Sequence, residues 1–364
     1  MINKHDEEFK KLYQKILTDG VDKDDRTGVG TKSIFGYQMR FKMSDGFPLF
    51  TLRKIHTKSL VHELLWFLES YDEKYDKFGN TNIRYLLENG VTFWTEWPYQ
   101  SYKKDALDKY LADDLKDDKT IKKLNLLSVR EFEEKIVTDD YFALKYGDLG
   151  PVYGKQWKNF GGYTEKAEIT KQYEANRNGI RVVDSQGWQD VEMEGVNQID
   201  NVIDLLLNEP NSRRMIVNSW NPSDIDDMLL PPCHMMFQFY STLLNEKEKK
   251  ANPGKERKLS VQLYQRSGDY GLGIPYNVGS YSLLLHMIAQ IVNMVPDELV
   301  WTGGDVHIYN DHVHQLSEVL QRDSFKPCKL VLNSKINNIY DFRYDDIKFE
   351  NYQCHDNIKM NVAV

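Results

Sequence analysis

The stretch Leu230-Pro231-Pro232-Cys233-His234 runs directly into Met235-Met236-Phe237-Gln238-Phe239-Tyr240. Proline fixes its own φ and donates no ladder hydrogen bond, so the pair marks the edge of an element. The aromatic run behind it reads as a β-strand. Alternation places Cys233, Met235, Phe237 and Phe239 on one face, and His234, Met236, Gln238 and Tyr240 on the other. A thiol at the mouth of a rigid strand can be both held and reached, as a nucleophile must be. The plainer reading is a buried cysteine acting as a small hydrophobe.

Composition narrows what surrounds that strand. The 364 residues are 41% hydrophobic and 28% charged, ordinary for a globular chain with one large core or two modest ones. A formal charge of −8 argues against a general nucleic-acid coat. Three cysteines (Cys233, Cys328 and Cys354) with no CxxC pair support neither a disulfide framework nor a zinc knuckle. A reducing cytoplasm is the expected compartment. The polar N-terminus has no signal-like apolar run, and no apolar stretch is long enough to span a membrane.

Upstream of the strand, Phe9, Leu12, Tyr13, Ile16 and Leu17 predict a helix over 6–18, closed by Gly20. Asp25 to Ser33 is a glycine- and hydroxyl-rich loop whose N–H groups suit a phosphate, though its spacing is not that of a Walker A loop. A strand follows over 34–41. Residues 58–69 form an apolar helix in which Glu63 sits beside the core stripe, either as a satisfied structural acid or as a tuned one. Residues 72–79 read as a polar loop, and 86–90 as the end of a short helix. Phe93, Trp94 and Trp97 are core rings or the wall of a flat ligand site. Residues 99–141 read as a helical excursion with periodicity around Leu107, Tyr110 and Leu111 and around Phe132 and Ile136. Residues 147–154 read as a tight turn holding Tyr153. Residues 161–195 are polar and weakly periodic, and a helix over Val202–Leu206 stops at Asn208-Glu209-Pro210.

Arg213 and Arg214 open a strand over 215–220, pointing to opposite faces. Beyond the cysteine strand, 245–258 reads as a charged loop. Residues 259–267 alternate, with Leu259, Val261 and Leu263 inward and Gln262, Tyr264 and Arg266 outward. Residues 269–277 read as a loop before an all-round apolar helix starting near Ser280. Asp305, His307 and Tyr309 share a strand face. His312-x-His314 is out of phase for a helical metal pair, and no metal is expected.

Arginines clamp phosphate by forked hydrogen bonds. An asparagine side chain both donates and accepts, and so can read a uracil edge. A cationic neighbourhood lowers a thiol pKa and favours the thiolate.

These residues give the chain its resemblance to the thymidylate synthase family, within the superfamily that also holds deoxypyrimidine hydroxymethylases. The matching pieces are Asp25-Arg26-Thr27-Gly28, His62 to Phe67, Gly147 to Gly154, Ser212-Arg213-Arg214, Leu230 to His234, Gln265-Arg266-Ser267, Asn277, Gly304 to Tyr309 and Val362-Ala363-Val364, in family order over nearly the whole chain. The resemblance implies one catalytic α/β domain of the α+β type. A large mixed β-sheet is flanked by helices, with insertions near 70–78, 99–141, 161–195 and 245–258. It implies a homodimer packed sheet against sheet, with active sites built by both chains.

The implied reaction is reductive methylation of dUMP, with 5,10-methylenetetrahydrofolate as co-substrate and no metal. By resemblance, Cys233 adds to carbon 6 of the uracil, Glu63 and Tyr153 manage protons, and Arg266 and Asp269 complete the catalytic set. Arg26, Arg266 and Ser267 hold the phosphate, with Arg213 and Arg214 arriving from the second subunit. Asn277 reads the base, His307 and Tyr309 hold the sugar, and His234 and Gln265 line the nucleotide site. Phe93, Trp94, Trp97, Leu230, Asp269, Leu272, Gly273, Tyr276, Ala363 and Val364 line the folate site, the last two closing over it. Four positions depart from the usual family residues: Leu52, Arg53, Tyr276 in place of Phe and Gly279 in place of Ala. The last two bear on the alternative product, 5-hydroxymethyl-dUMP, because an added hydroxyl and a missing methyl leave room for water. A non-enzymatic relative that binds RNA or a partner is the reading from another class.

Overall fold

The computed structural model describes residues 3–25, 28–112, 126–169 and 187–361. The first amphipathic pattern folds as helix α1 (Lys4–Asp19), and Asn3 caps it by accepting from the N–H groups of His5 and Asp6. Its apolar stripe lies on strand β2 (Thr31–Lys42), with Phe9 5.4 Å from Phe41. Strand β1 (Val21–Lys23) pairs antiparallel with β2. Helix α2 (Thr57–Phe67) is buried along its length from Leu60 to Phe67, and α3 (Arg84–Glu88) is short.

The excursion folds as α4 (Glu96–Ala112), α5 (Val129–Thr138) and α6 (Asp140–Tyr146). Phe132 and Ile136 are buried as expected, but Leu107 is exposed. Tyr99 and Tyr102, three apart on α4, make the packing instead, each 5.4 Å from Phe132. The side chains of Tyr110 and Leu111 lie outside the described part. Residues 72–79 hold a single 3₁₀ turn, yet Tyr75 and Phe78 are buried, so this loop is packed rather than merely solvated.

Next come α7 (Tyr153–Lys158), the antiparallel strands β3 (Tyr163–Ile169) and β4 (Gly187–Met193), α8 (Gln198–Asn208), β5 (Ile216–Asn218) and β6 (His234–Leu243). After them come α9 (Glu246–Ala251), β7 (Arg257–Asp269), α10 (Gly273–Ile291), β8 (Val295–Tyr309) and α11 (Val313–Leu320). A last antiparallel pair is β9 (Lys329–Leu332) with β10 (Ile347–Glu350).

The principal sheet runs β1-β2-β8-β7-β6-β5. Only β7 and β8 are parallel, and α10 is the crossover that such a pair requires. Leu283, Leu284, Leu285, Met287 and Ile288 of α10 are fully buried. Burying each such side chain contributes roughly 1.5–3 kcal/mol. Among the described residues no helix is long and apolar enough to cross a membrane.

Five sequence expectations are corrected here. The register of β6 against β7 slips between His234 and Met236, so a bulge turns His234 inward on the side of Phe237 and Phe239. Residues 245–258 contain α9, because Asn245 and Glu248 form a reciprocal capping box. The weakly periodic 161–195 includes the β3–β4 pairing. Tyr153 opens helix α7 rather than sitting within a turn. Helix α10 begins at Gly273, seven residues ahead of Ser280, which places Asn277 inside the helix.

Candidate active site

Cys233 stands immediately before β6 and is half-buried. Its N–H donates to Tyr153 Oη at 2.8 Å, and its carbonyl accepts from the Arg266 N–H at 2.8 Å. The nucleophile candidate is thus pinned from both sides by backbone bonds. The two prolines donate nothing but still accept. Arg266 Nε donates to the Pro232 carbonyl and Nη2 to the Pro231 carbonyl, each at 2.8 Å. This fork brings Nη2 to 3.9 Å from Cys233 Sγ, while the guanidinium lies 5.3 Å over the Trp220 ring.

The electrostatics differ from the sequence expectation. Burial raises the thiol above its ordinary value, and Arg266 opposes that rise without reversing it. Among the described residues, the Arg266 guanidinium is the charge that opposes this burial.

Tyr153 is delivered by the glycine-bounded turn. Gly150 has φ +79°, and a Cβ there would lie 2.0 Å from the Asp227 carbonyl oxygen. The same turn pairs with the cysteine segment, where the Leu229 N–H donates to Leu149 O at 2.9 Å. Tyr153 stacks on His234 with ring centroids 4.0 Å apart. His234 Nδ1 is 2.8 Å from Tyr281 Oη. Burial pushes the His234 imidazole down to about 3, so it is neutral at neutral pH, and it holds Tyr281 Oη and Tyr153 in fixed relation to Cys233.

Glu63 of α2 is buried, and its Oε1 accepts from Trp94 Nε1 at 2.8 Å. Burial pushes this carboxyl up to about 7, with the Trp94 bond opposing. Trp94 in turn lies 5.9 Å from Tyr153 and 5.5 Å from the half-buried Trp97. Phe93, 6.2 Å from Trp94, is largely exposed. Glu63, Trp94, Tyr153 and Cys233 therefore form one contiguous chain of contacts.

Across the sheet, Asp269 pairs in register with His307, and Ser267 with Asp305. Asp269 Oδ1 accepts from the Gly271 N–H at 2.8 Å; burial raises its carboxyl, with His307 and His312 opposing. His307 Nδ1 is 3.1 Å from Asp305 Oδ1. That bond, with help from Lys23 and Ser33, holds Asp305 well below the usual carboxylate range. Tyr309 meets His307 edge-on at 5.3 Å. Ser267 is half-buried. The Gln265 amide is engaged by protein, accepting from Trp301 Nε1 at 2.9 Å and donating to the Ser267 carbonyl at 3.0 Å. Gln265 thus orients the Arg266–Ser267 strand end.

Asn277 is half-buried in the first turns of α10, its Oδ1 3.7 Å from where a Gly273 Cβ would lie. Leu230 and Leu272 pack partly buried against the core. Arg213 and Arg214 are exposed in the loop before β5 and make no hydrogen bond or ion pair to the Cys233 group. The expectation that they face opposite ways from a strand fails, because the strand starts only at Ile216. Arg26, Ala363 and Val364 lie outside the described residues.

Two family departures resolve as packing. Tyr276 Oη accepts from the His56 N–H at 3.1 Å, at the start of α2. At Gly279 an added Cβ would lie 2.6 Å from Leu60 Cδ1 and 3.2 Å from Leu49 Cδ2. The hydroxyl accepts one protein hydrogen bond, and leucine side chains fill the space of the missing methyl. Arg53 is buried, donates to the Gly271 carbonyl and, among the described residues, leaves its Nε without a partner.

Several participants took roles that the sequence did not assign them. Trp220 lies under Arg266 and Tyr281 meets His234. His312 Nε2 is 2.8 Å from the Asn361 carbonyl and ties down the C-terminal segment. Their roles come from contacts between distant strands and helices. Among the described residues no group of His, Cys, Asp or Glu is arranged to hold a metal ion.

Comparison with known proteins identifies the family. The family model described as thymidylate synthase matches residues 7–364. A thymidylate synthase of Mycoplasma mobile is 42% identical over 358 residues, covering 98% of this chain and 100% of that protein. One from Aster yellows witches'-broom phytoplasma is 42% identical over 356 residues, covering 98% and 99%. One from Malacoplasma penetrans is 40% identical over 357 residues, with the same two shares.

Proposed function

Since the chain belongs to the thymidylate synthase family, we propose that it converts dUMP to dTMP, with 5,10-methylenetetrahydrofolate consumed and dihydrofolate released. The observation that carries this reading is Cys233, held by Tyr153 and Arg266 with Sγ 3.9 Å from a guanidinium nitrogen. Cys233 gives up its thiol proton to solvent and, as the thiolate, Sγ adds to carbon 6 of the uracil; the electron pair of the 5,6 double bond moves to carbon 5, which becomes the nucleophile. The folate co-substrate supplies the one-carbon unit and the hydride that reduces it. Its site has a half-buried Trp97 face, Leu272 and Tyr276 for a flat ring, and Arg53 Nε, without a partner among the described residues, as a donor.

The chain's own residues do the rest. Arg266 and Ser267 take the phosphate on this chain, and Arg26 belongs with them by resemblance. Arg213 and Arg214 reach the phosphate held by a second copy. Asn277 pairs with the uracil edge. His307 and Tyr309 hold the sugar hydroxyl. Glu63, poised near neutrality, passes a proton toward the base. Tyr153 relays the carbon 5 proton away as the folate is expelled, and Sγ departs once hydride has reduced the resulting exocyclic methylene. Asp269, Trp94, Trp97 and Phe93 line the folate side with Leu230 and Gly273, and Ala363 and Val364 close it against water. The whole chain acts as one catalytic domain, in which the segments near 70–78, 99–141, 161–195 and 245–258 are elaborations.

The product assay tests this directly. Enzyme, dUMP and methylenetetrahydrofolate should yield dTMP with the absorbance rise of dihydrofolate. Formation of 5-hydroxymethyl-dUMP without that rise would overturn it in favour of the hydroxymethylase. The packing around Tyr276 and Gly279 supports the reductive outcome.

A further inference from the structure

We propose that Arg257 is a positioning residue that presents Arg213 and Arg214 for phosphate binding, and that the segment 245–258 exists to place it. The inference rests on the proposed function, in which that arginine pair contacts dUMP bound by a second copy.

The segment is firmly knit to its own end of the sheet. Lys258 pairs with Glu248 at 2.9 Å and with Asp297 at 3.5 Å, and Lys255 Nζ donates to the Met294 carbonyl at 2.7 Å. With the start of β7 so fixed, the Arg257 guanidinium reaches across β6. Nε donates to Ser241 Oγ at 2.7 Å. Nη2 is shared among Asn211 Oδ1 at 2.6 Å, the Ser241 carbonyl at 3.2 Å and the Pro210 carbonyl at 3.4 Å. Among the described residues no carboxylate pairs with Arg257.

Pro210 and Asn211 lead straight into Ser212-Arg213-Arg214. From the other side, Gln238 Nε2 donates to the Arg213 carbonyl at 3.0 Å, and the Arg214 N–H donates to Ser212 Oγ at 3.3 Å. The loop is thus fastened through the Pro210 and Arg213 carbonyls and the Asn211 side chain, while both arginine side chains remain exposed and, among the described residues, without an ion pair. A loop ordered in advance loses less entropy when its side chains engage a ligand. A lysine at 257 would keep the charge but not the planar fork that bonds several acceptors at once. A purely structural role predicts loss of every activity together; a positioning role predicts loss confined to the phosphate.

The full-length enzyme with Arg257→Ala and with Arg257→Lys should be titrated with dUMP and with deoxyuridine, which lacks the phosphate, alongside steady-state kinetics. Both variants should bind dUMP about tenfold more weakly and raise its KM to match. The kcat at saturating dUMP should stay within about twofold and deoxyuridine affinity should not change. Unchanged dUMP affinity, or equal weakening toward dUMP and deoxyuridine, would overturn the proposal. If Arg257→Ala fails to fold, Arg257→Lys is judged by the same criteria. An Arg213→Ala/Arg214→Ala double variant separates the levels. If it leaves dUMP affinity intact, the phosphate reading itself fails and takes this inference with it. If it weakens dUMP while Arg257→Ala does not, this inference alone fails.

Discussion

Glu63 shows what burial does to one carboxyl. Its folded value near 7 lies above the ordinary 4.5, so the folded chain keeps a proton that the unfolded chain has released between those pH values. Its protonated form stabilises the fold fully below about pH 4.5. That stabilisation is lost as pH rises through 7, amounting to on the order of 3 kcal/mol. Glu63→Gln removes the titration while keeping an acceptor for Trp94 Nε1. Urea unfolding of both proteins from pH 4.5 to 8 should show the wild type losing stability relative to the variant up to about pH 7, then running parallel. A constant difference across that range would mean the carboxyl titrates normally. His234 is the same effect on a base: burial makes it a neutral packing ring beside the nucleophile, not a cation for the phosphate.

At the scale of elements, the contact between α2 and α10 decides how two family departures are accommodated. Gly279 lets the helices approach until Leu60 and Leu49 fill the space of a methyl group. Gly279→Ala gains about 1 kcal/mol of helix propensity. It also forces the end of a fully buried Leu60 side chain to move, at roughly 1–3 kcal/mol. We expect net destabilisation, visible as a lower Tm. The double variant with Leu60→Val should lose less than the two single losses combined. A Gly279→Ala protein at least as stable as the wild type would show that the contact is slack. The bulge at the head of β6 is the other decisive local event. One residue out of register moves His234 from the outward row to the inward one and leaves Cys233 at the rim.

The whole molecule carries an apolar surface that one chain does not cover. Phe35 is 89% exposed, and Ile216, Met236, Tyr240 and Leu243 are exposed along the same sheet. Such a set suits a self-complementary contact between two copies. The Arg213–Arg214 loop, unconnected to its own Cys233, suits it as well. Mixing a Cys233→Ser chain with an Arg213→Ala/Arg214→Ala chain should restore activity to about a quarter of the wild-type level, because only mixed dimers hold one intact site. Each variant alone should be nearly inactive while still folded. No recovery after dissociation and reassociation would mean that each chain completes its own site.

Local pattern was enough for much of this. The helix over 6–18, the alternation of Leu259, Val261 and Leu263, and the all-round apolar character of α10 all follow from how side chains meet water along one element. The cysteine between two prolines and a strand also stood out. Other features were decided only when distant elements met. The side on which His234 falls, the commitment of the Tyr276 hydroxyl to His56, the upward shift of the Cys233 thiol and the reach of Arg257 to Asn211 are of this kind. Periodicity records which face of an element is dry; which atoms face each other across the dry space depends on register, crossing and burial that only the assembled chain defines.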